Sequence, residues 1–130
     1  MGDLARLGNA KTVILETRKR DGTWVSSPVS LAWEGTHAYF HTYDASGKFK
    51  RLRNFPEVRL TRASYWGRAA GGPPVPATAR RLAGDEAAHA QDLIAARFPV
   101  LHGQLVARIH RRRGWATIHY ELTAAGGDPG

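Results

Sequence analysis

A short basic segment that directly follows a strand-like run constrains the fold of this chain more than any other feature. The segment Ser46 to Pro56 begins with a serine, a glycine and a lysine and ends at a proline. Ser46 is a favourable N-cap, because its hydroxyl can accept a hydrogen bond from a free amide of the first helical turn. Pro56 ends a helix, since it has no amide hydrogen and disfavours helical geometry at Phe55. The segment therefore predicts a short helix immediately after a β-strand.

The cations of this segment lie near the start of the predicted helix. Lys48 and Arg51 are three residues apart on one face, whereas Phe49 and Leu52 share another face. Free amides and the helix dipole at a helix N-terminus attract anions, phosphates above all. Phosphate-binding loops use this strand–turn–helix layout. The pattern favours a phosphate site, and a basic helix that only faces solvent is the competing interpretation.

Length and composition predict one soluble domain over residues 1–130, with an N-terminal arm at 1–10 and a disordered tail at 124–130. A chain of 130 residues with 42% hydrophobic residues is large enough to bury a core. The absence of cysteine excludes disulfides and thiolate metal sites and fits a reducing cytoplasm. No apolar run has the length of a membrane span, and no signal-peptide core is present. We expect a cytoplasmic protein that does not enter a membrane.

The charge balance favours a partner that carries several negative charges. The formal net charge is +8 at pH 7, and the sequence pI is about 10.6. Nucleic acid, a phosphorylated cofactor and an anionic membrane surface all fit such a charge. Charge alone does not choose among them.

Hydrophobic alternation and turn residues predict six strands and further helices. The predicted strands are 12–17, 24–33, 37–43, 57–62, 75–82 and 115–122, and helices are expected at 84–97 and from Pro99 onward. Pro76 restricts the start of the fifth strand to a sheet edge or a bulge, because proline cannot donate to a ladder. Six short strands, with a helical segment before the last one, favour a mainly β (α+β) fold. The most suitable architecture is a small closed or partly closed barrel.

The second predicted strand has two different faces. Its odd positions include the apolar residues Val25, Val29 and Leu31, whereas its even positions are small and flat. If the apolar face fills the barrel, then Ser26 and Pro28 face outward. Such a face is a shallow shelf on which a flat ring could lie once a second subunit covered it.

With these residues in view, the chain resembles the pyridoxamine 5'-phosphate oxidase-like family of flavin and deazaflavin oxidoreductases. The resemblance is closest to its branch that uses coenzyme F420. The matching segments are Ser27 to Val29, Tyr39 to Tyr43, Ser46 to Arg53, Pro56 to Leu60 and Ala77 to Leu82. The similarity runs from Lys11 to Leu122, and the basic segment is its most specific part.

The resemblance implies an FMN-binding type of split β-barrel and a homodimer with cofactor sites at the subunit interface. It implies an oxidoreductase that uses coenzyme F420, or alternatively FMN, to transfer hydride to or from a small organic substrate. Several residues would contact the flavin or deazaflavin ring, others its phosphate, and two tryptophans would form walls of the pocket. The implied contacts with the ring or its side chain are Ser26, Ser27 and Pro28 at the ring edge and Thr42 and Tyr43 beside the ring or its side chain; the phosphate contacts are Ser46, Gly47, Lys48 and Arg51, with Lys50 nearby; the walls are Trp66 and Trp115. No residue is selected as catalytic, and no metal site is defined.

Two other functions remain open from the residues alone. A carrier that holds the deazaflavin without turning it over has the same sequence signature as an enzyme. A nucleic-acid-binding module fits the net charge and the run Arg111 to Arg113. No strand shows alternating basic and aromatic residues on one face, as a base-stacking platform needs, so we do not expect nucleic acid as the partner.

Overall fold

The computed structural model of the chain describes residues 4, 7, 10–44, 46–63, 73–97 and 116–125. These residues form seven strands and two helices. The strands are β1 (Thr12–Arg18), β2 (Trp24–Ser30), β3 (Ala32–Glu34), β4 (His37–Tyr43), β5 (Glu57–Arg62), β6 (Val75–Arg81) and β7 (Thr117–Ala124), and the helices are α1 (Gly47–Asn54) and α2 (Gly84–Arg97).

All seven strands belong to one antiparallel sheet that curls into a partly closed barrel. The strand order is β2-β1-β5-β6-β7-β4-β3. The two strands at the ends of this order, β2 and β3, are consecutive in the chain, and only Leu31 separates them. Because one residue spans less than 4 Å, the two edges of the sheet must meet at this corner. The predicted mainly β, split-barrel fold is confirmed.

The corner at Leu31 corrects one predicted strand. The sequence predicts a single strand over 24–33, but the chain turns at Leu31, where β2 pairs with β1 and β3 pairs with β4. The Leu31 amide donates to the Lys11 carbonyl at 2.8 Å, which ties the corner to the start of β1. In the sequence, the alternation of apolar and small side chains continues through Leu31, so hydrophobic periodicity could not reveal the corner. The sheet therefore has seven strands in the described chain instead of about six.

The barrel interior holds a core of aliphatic side chains around one aromatic stack. Phe40 and Tyr120 lie with ring centroids 5.1 Å apart and planes inclined by 14°. Phe40 is fully buried. Its buried neighbours in the same cluster include Val13, Leu15, Leu31, Val58, Leu60, Ala77 and Leu122. Leu4 and Leu7 are also buried there, so parts of the predicted N-terminal arm belong to the core.

Pro76 shows how a proline fits a strand that has neighbours on both sides. β6 lies between β5 and β7, and is therefore not an edge strand. Pro76 stands opposite Arg59, and its carbonyl accepts from the Ala125 amide at 3.4 Å, beyond the last residue of β7. The missing amide thus falls where the ladder to β7 ends. The restriction predicted for the beginning of this strand therefore applies, because Pro76 lies just outside the residues of β6 that pair with β7.

Several predicted elements lie partly or wholly outside the described residues. The last strand is β7 (Thr117–Ala124), two residues later than the predicted 115–122, so that Ala124 is part of the sheet. The predicted helix from Pro99 lies outside the described residues, as does most of the predicted loop 63–74. Within the described part of the chain, no helix has the length and hydropathy needed to cross a membrane.

α2 covers the outer face of the sheet at β3, β4 and β7. Ala90 and Ile94 of α2 form a second buried cluster with Ala32, Tyr39 and Leu82. A polar network surrounds this cluster. Its contacts are Tyr39 Oη to Glu34 (2.9 Å), His89 Nε2 to Glu34 (2.9 Å), Arg80 to Glu86 (2.9 Å) and Glu121 (3.0 Å), and His37 Nδ1 to Glu121 (2.8 Å).

The environment of Tyr39 predicts a loss of stability at alkaline pH. Burial, and then the hydrogen bond to Glu34, raise the pKa of Tyr39 from 10.0 to about 12. The folded state therefore favours the neutral phenol, whose stabilising effect is complete below pH 10 and is lost as the pH rises from 10 towards 12. We expect the free energy of unfolding in urea to fall more between pH 9 and pH 11.5 in the wild type than in Tyr39→Phe. Equal falls would contradict this assignment.

Candidate functional site

The helix α1 begins and ends where the sequence predicts. Ser46 has an extended backbone, with φ −75° and ψ 154°, and its Oγ accepts a hydrogen bond from the Phe49 amide at 3.1 Å. At the other end the Phe55 amide donates to the Arg51 carbonyl at 2.9 Å, directly before Pro56. Leu52 is the buried residue of the helix. The predicted N-cap and the predicted stop are both confirmed.

The start of α1 is fixed to the end of β4. The Thr42 and Ser46 hydroxyls lie 2.9 Å apart, and both residues are buried. The Ser46 amide also donates to the Tyr43 carbonyl at 3.0 Å. Because these contacts join the strand to the N-cap, the free amides of the first turn have a defined position. α1 packs against β1 as well as β4 and lies at one end of the barrel.

Arg51 folds back from the second turn of α1 towards its N-terminus. Its Nε donates to Thr17 Oγ1 at 2.6 Å, and Thr17 is completely buried at the end of β1. A Cβ atom added at Gly47 would lie 2.6 Å from Arg51 Nη1. The glycine therefore provides the space in which the guanidinium lies beside the first turn.

Lys48 adds a second, partly desolvated cation at this end of α1. Burial, and then the charge of Arg51, lower the pKa of Lys48, and burial also lowers the pKa of Arg51. In the described part of the chain, neither cation has a carboxylate within ion-pair distance. Two like charges that lack a counter-ion destabilise each other. An anion bound here would remove that cost, so the cluster is suited to a phosphate.

We define the cradle as Thr17, Thr42, Ser46, Gly47, Lys48 and Arg51. It brings together five of the predicted site residues: Thr42, Ser46, Gly47, Lys48 and Arg51. Lys50, which we predicted nearby, is exposed on α1. Tyr43 is half-buried at the end of β4, one residue beyond Thr42.

Three of the predicted ring contacts, Ser26, Ser27 and Pro28, lie on β2, at an edge of the sheet. Ser26 and Pro28 are exposed, as the outward shelf predicts. Ser27 is on the opposite, inner face, and its Oγ is buried and has no hydrogen-bond partner among the described residues. Thr17 pairs with Val25, so the cradle is level with the start of the shelf along β2, although Thr17 faces inward and the shelf faces outward. The predicted walls Trp66 and Trp115 lie outside the described residues.

Thr17 is the residue of the cradle that the sequence analysis missed. It is an inward-facing position of β1, where alternation predicts an apolar side chain, and a buried hydroxyl there requires a partner. The need of this hydroxyl for a hydrogen-bond partner was the one signal in the sequence that pointed to Thr17. The identity of the partner could not be inferred, because Arg51 lies 34 residues away in the sequence.

A different cavity lies under α2. It has a volume of about 220 Å³ and is lined by Tyr39, Arg80, Leu82, Asp85, Glu86, His89 and Glu121. Most of its polar groups pair with one another in the network described above. The cradle, by contrast, presents cations that have no acidic partner in the described chain, and we therefore place the candidate site at the cradle.

The space at Gly47 predicts a selective loss of phosphate binding in Gly47→Ala. The added Cβ would displace the flexible end of Arg51, while Gly47 itself has no left-handed backbone that would oppose alanine. Alanine also favours a helix over glycine by about 1 kcal/mol. We expect about tenfold weaker binding of a phosphorylated cofactor and an unchanged or slightly lower melting temperature, because the gain in helix propensity offsets part of the cost of weakening the hydrogen bond from Arg51 to Thr17. The titration and the thermal melt are made on the same preparation, and a variant that binds normally would contradict the arrangement.

No protein-family model matches the chain, and no curated protein matches it by sequence. Solved structures do match it. A protein from Listeria innocua named for pyridoxamine 5'-phosphate oxidase has a TM-score of 0.63 and 12% identity, over 94% of this chain and 90% of the other. The heme storage protein from Vibrio cholerae has a TM-score of 0.69 and 14% identity, over 93% and 86%.

An F420-H2-dependent reductase has a TM-score of 0.61 and 16% identity, over 86% of this chain and 93% of the other. The chain has the split-barrel fold of pyridoxamine 5'-phosphate oxidase-like proteins. At these identities the likeness establishes the fold of the split barrel. The activities that appear in the names of these structures belong to the matched proteins.

Proposed function

We propose that this split barrel binds coenzyme F420 at the cradle and transfers hydride between this cofactor and a small organic substrate. FMN is the alternative cofactor. The observation that carries the proposal is the pair of partly buried cations, Lys48 and Arg51, beside the first turn of α1 and without an acidic partner in the described chain.

The residues of the cradle fit a phosphate through the helix amides and through the placement of Arg51. The first-turn amides of α1 point towards an incoming anion, and the Ser46 hydroxyl satisfies the Phe49 amide. Gly47 leaves room for the Arg51 guanidinium to lie beside them. Thr17 holds that guanidinium through its Nε, which leaves the two Nη groups free to form a fork towards a phosphate.

The protein would supply position and charge, whereas the cofactor supplies hydride chemistry. With a phosphate at the cradle, a ring attached to it would extend along β2, over the exposed Ser26 and Pro28. Backbone groups of β2 on the side away from β1 are available to ring heteroatoms, because β2 ends the sheet in the described chain. Ser27 adds an inward hydroxyl that has no partner among the described residues.

A homodimer is part of the proposal. α2 covers β3, β4 and β7, whereas the described helices leave the outer faces of β1 and β2 to other contacts. A second copy placed there would close the shelf over the ring and exclude water from it. The expected mass in sedimentation equilibrium is that of two chains.

Cofactor titrations test the proposal directly. The purified protein is titrated with coenzyme F420, with FMN and with hemin, and binding is followed by intrinsic fluorescence or by the heme absorption band. Strongest binding of F420 supports the proposal, and strongest binding of FMN supports the alternative. Hemin binding without a response to either flavin would overturn both.

A turnover assay then separates an enzyme from a carrier. Reduced F420 is incubated with the protein and a panel of small organic acceptors, and absorbance at 420 nm is followed. Catalysed reoxidation that depends on the acceptor identifies an enzyme. Tight binding without reoxidation by any acceptor would identify the carrier.

A further inference from the structure

Positive charge is concentrated at one end of the barrel, the end that α1 closes. The β1–β2 turn, α1 and the end of β6 all meet there. Their cations are Arg18, Lys19, Arg20, Lys48, Lys50, Arg51, Arg53 and Arg81, whereas their acidic residues are Asp21, Asp44 and Glu57. We call this surface the basic pole.

The cations of the basic pole differ from Arg59 and Arg80 in having no ion pairs among the described residues. Within the described residues none of the eight lies within 4.0 Å of a carboxylate, whereas Arg59 pairs with Glu16 and Arg80 pairs with two glutamates. Eight cations on one surface create a positive potential, which attracts a polyanion to that surface. The basic pole is therefore a surface of unbalanced charge and not a network of internal salt bridges.

Aromatic rings lie among these cations. The Arg18 guanidinium is 5.8 Å from the Trp24 ring and 5.7 Å from the Phe55 ring. On the other side of α1, Phe49 lies between Arg53 at 5.8 Å and Arg81 at 5.3 Å. All three aromatic residues are partly exposed. Arg59 also lies 4.1 Å from the centre of the Trp24 ring, so the accessible rings of the basic pole are chiefly those of Phe49 and Phe55. Basic and aromatic groups thus alternate across the end of the barrel from β2 to β6.

We propose that the basic pole binds single-stranded nucleic acid. Cations that contact the phosphate backbone, combined with aromatic rings on which unpaired bases stack, are what such surfaces require. The rings favour single-stranded nucleic acid over an acidic peptide, because an acidic peptide has no bases that could stack on them. They also favour it over duplex DNA, whose bases are already stacked on one another. The pattern does not run along any one predicted strand, because the fold assembles it from a turn, a helix and two strand ends.

The test is a fluorescence anisotropy titration of labelled dT20 with the full chain at 50, 100 and 200 mM NaCl. We expect binding that weakens steeply with salt, by at least about tenfold over this range. Arg53→Glu with Arg81→Glu should weaken binding at least about tenfold at 100 mM NaCl. The matched control is Lys11→Glu with Arg62→Glu, which makes the same change in net charge at exposed positions near the other end of β1 and β5. It should weaken binding less than about threefold.

A separate variant tests how much an aromatic ring contributes to dT20 binding. Phe55→Leu keeps an apolar side chain beside Arg18 but removes the aromatic surface, and should weaken dT20 binding about tenfold. Poly-glutamate at equal charge concentration should compete poorly. Equal losses in the two charge-reversal variants, unchanged binding in both, or displacement of dT20 by poly-glutamate at equal charge would each overturn the proposal.

Discussion

The double substitution Lys48→Ala and Arg51→Ala is expected to lower cofactor affinity at least about 100-fold. Both cations lie beside the first turn of α1, where we place the phosphate. A hydrogen bond to a charged group contributes about 1.5–3 kcal/mol, so that the loss of two corresponds to about 3–6 kcal/mol. Each 1.4 kcal/mol is about tenfold in affinity. The measurement is a fluorescence titration with whichever of F420 and FMN binds the wild type more tightly.

Stability and binding can be separated in this experiment. Removing Arg51 leaves the buried Thr17 hydroxyl without that donor, which costs about 1–3 kcal/mol of stability. Lys48→Ala alone avoids this cost and should still weaken binding about tenfold. Arg53→Ala is the control, since it removes a cation from the same helix but on the side of Phe49. If the folded double variant binds as tightly as the wild type, the cradle is not the phosphate site.

Phe40→Ala is expected to cause the largest loss of stability, about 3–5 kcal/mol. Phe40 is fully buried and stacks on Tyr120 at the centre of the barrel, so that truncation leaves a cavity between β4 and β7. Domains of this kind have about 5–15 kcal/mol of stability in total, and the variant would keep only part of it. Chemical denaturation followed by circular dichroism measures the change.

Phe55→Ala is the matched control for the barrel core. Phe55 is half-buried at the end of α1, and its ring contacts the Arg18 guanidinium instead of the interior. We expect a loss of about 1 kcal/mol. Equal losses from the two phenylalanines would mean that the stacked pair is not at the centre of the core.

The local elements were predictable because their signals are local. Ser46 and Pro56 are the start and stop signals of α1, and both act through the backbone within a few residues. The clean alternation of β5 likewise predicts Val58 and Leu60 as inward residues, and both are buried. Leu31 had no such signal, because its turn depends on pairing with two different strands and not on its own side chain.

The residues of the site could be predicted only where they belong to one continuous segment of the chain. Ser46, Gly47, Lys48 and Arg51 are close in sequence, and the fold keeps them close in space. Thr17 joins them through tertiary contact across 34 positions, which no spacing rule describes. Trp66 and Trp115 stay predictions, since they lie outside the described residues.

The junction at Leu31 has a consequence for circular permutation. The chain passes there from one edge of the sheet to the other within a single residue, so that new termini at this position would remove their direct covalent link. New termini in the turns at Gly22 or Gly35 would instead cut between hairpin neighbours that remain hydrogen-bonded along their length. A permuted chain opened at either glycine should therefore keep the two edges of the sheet joined through Leu31, whereas one opened at Leu31 would lose that link and its two edge strands could separate.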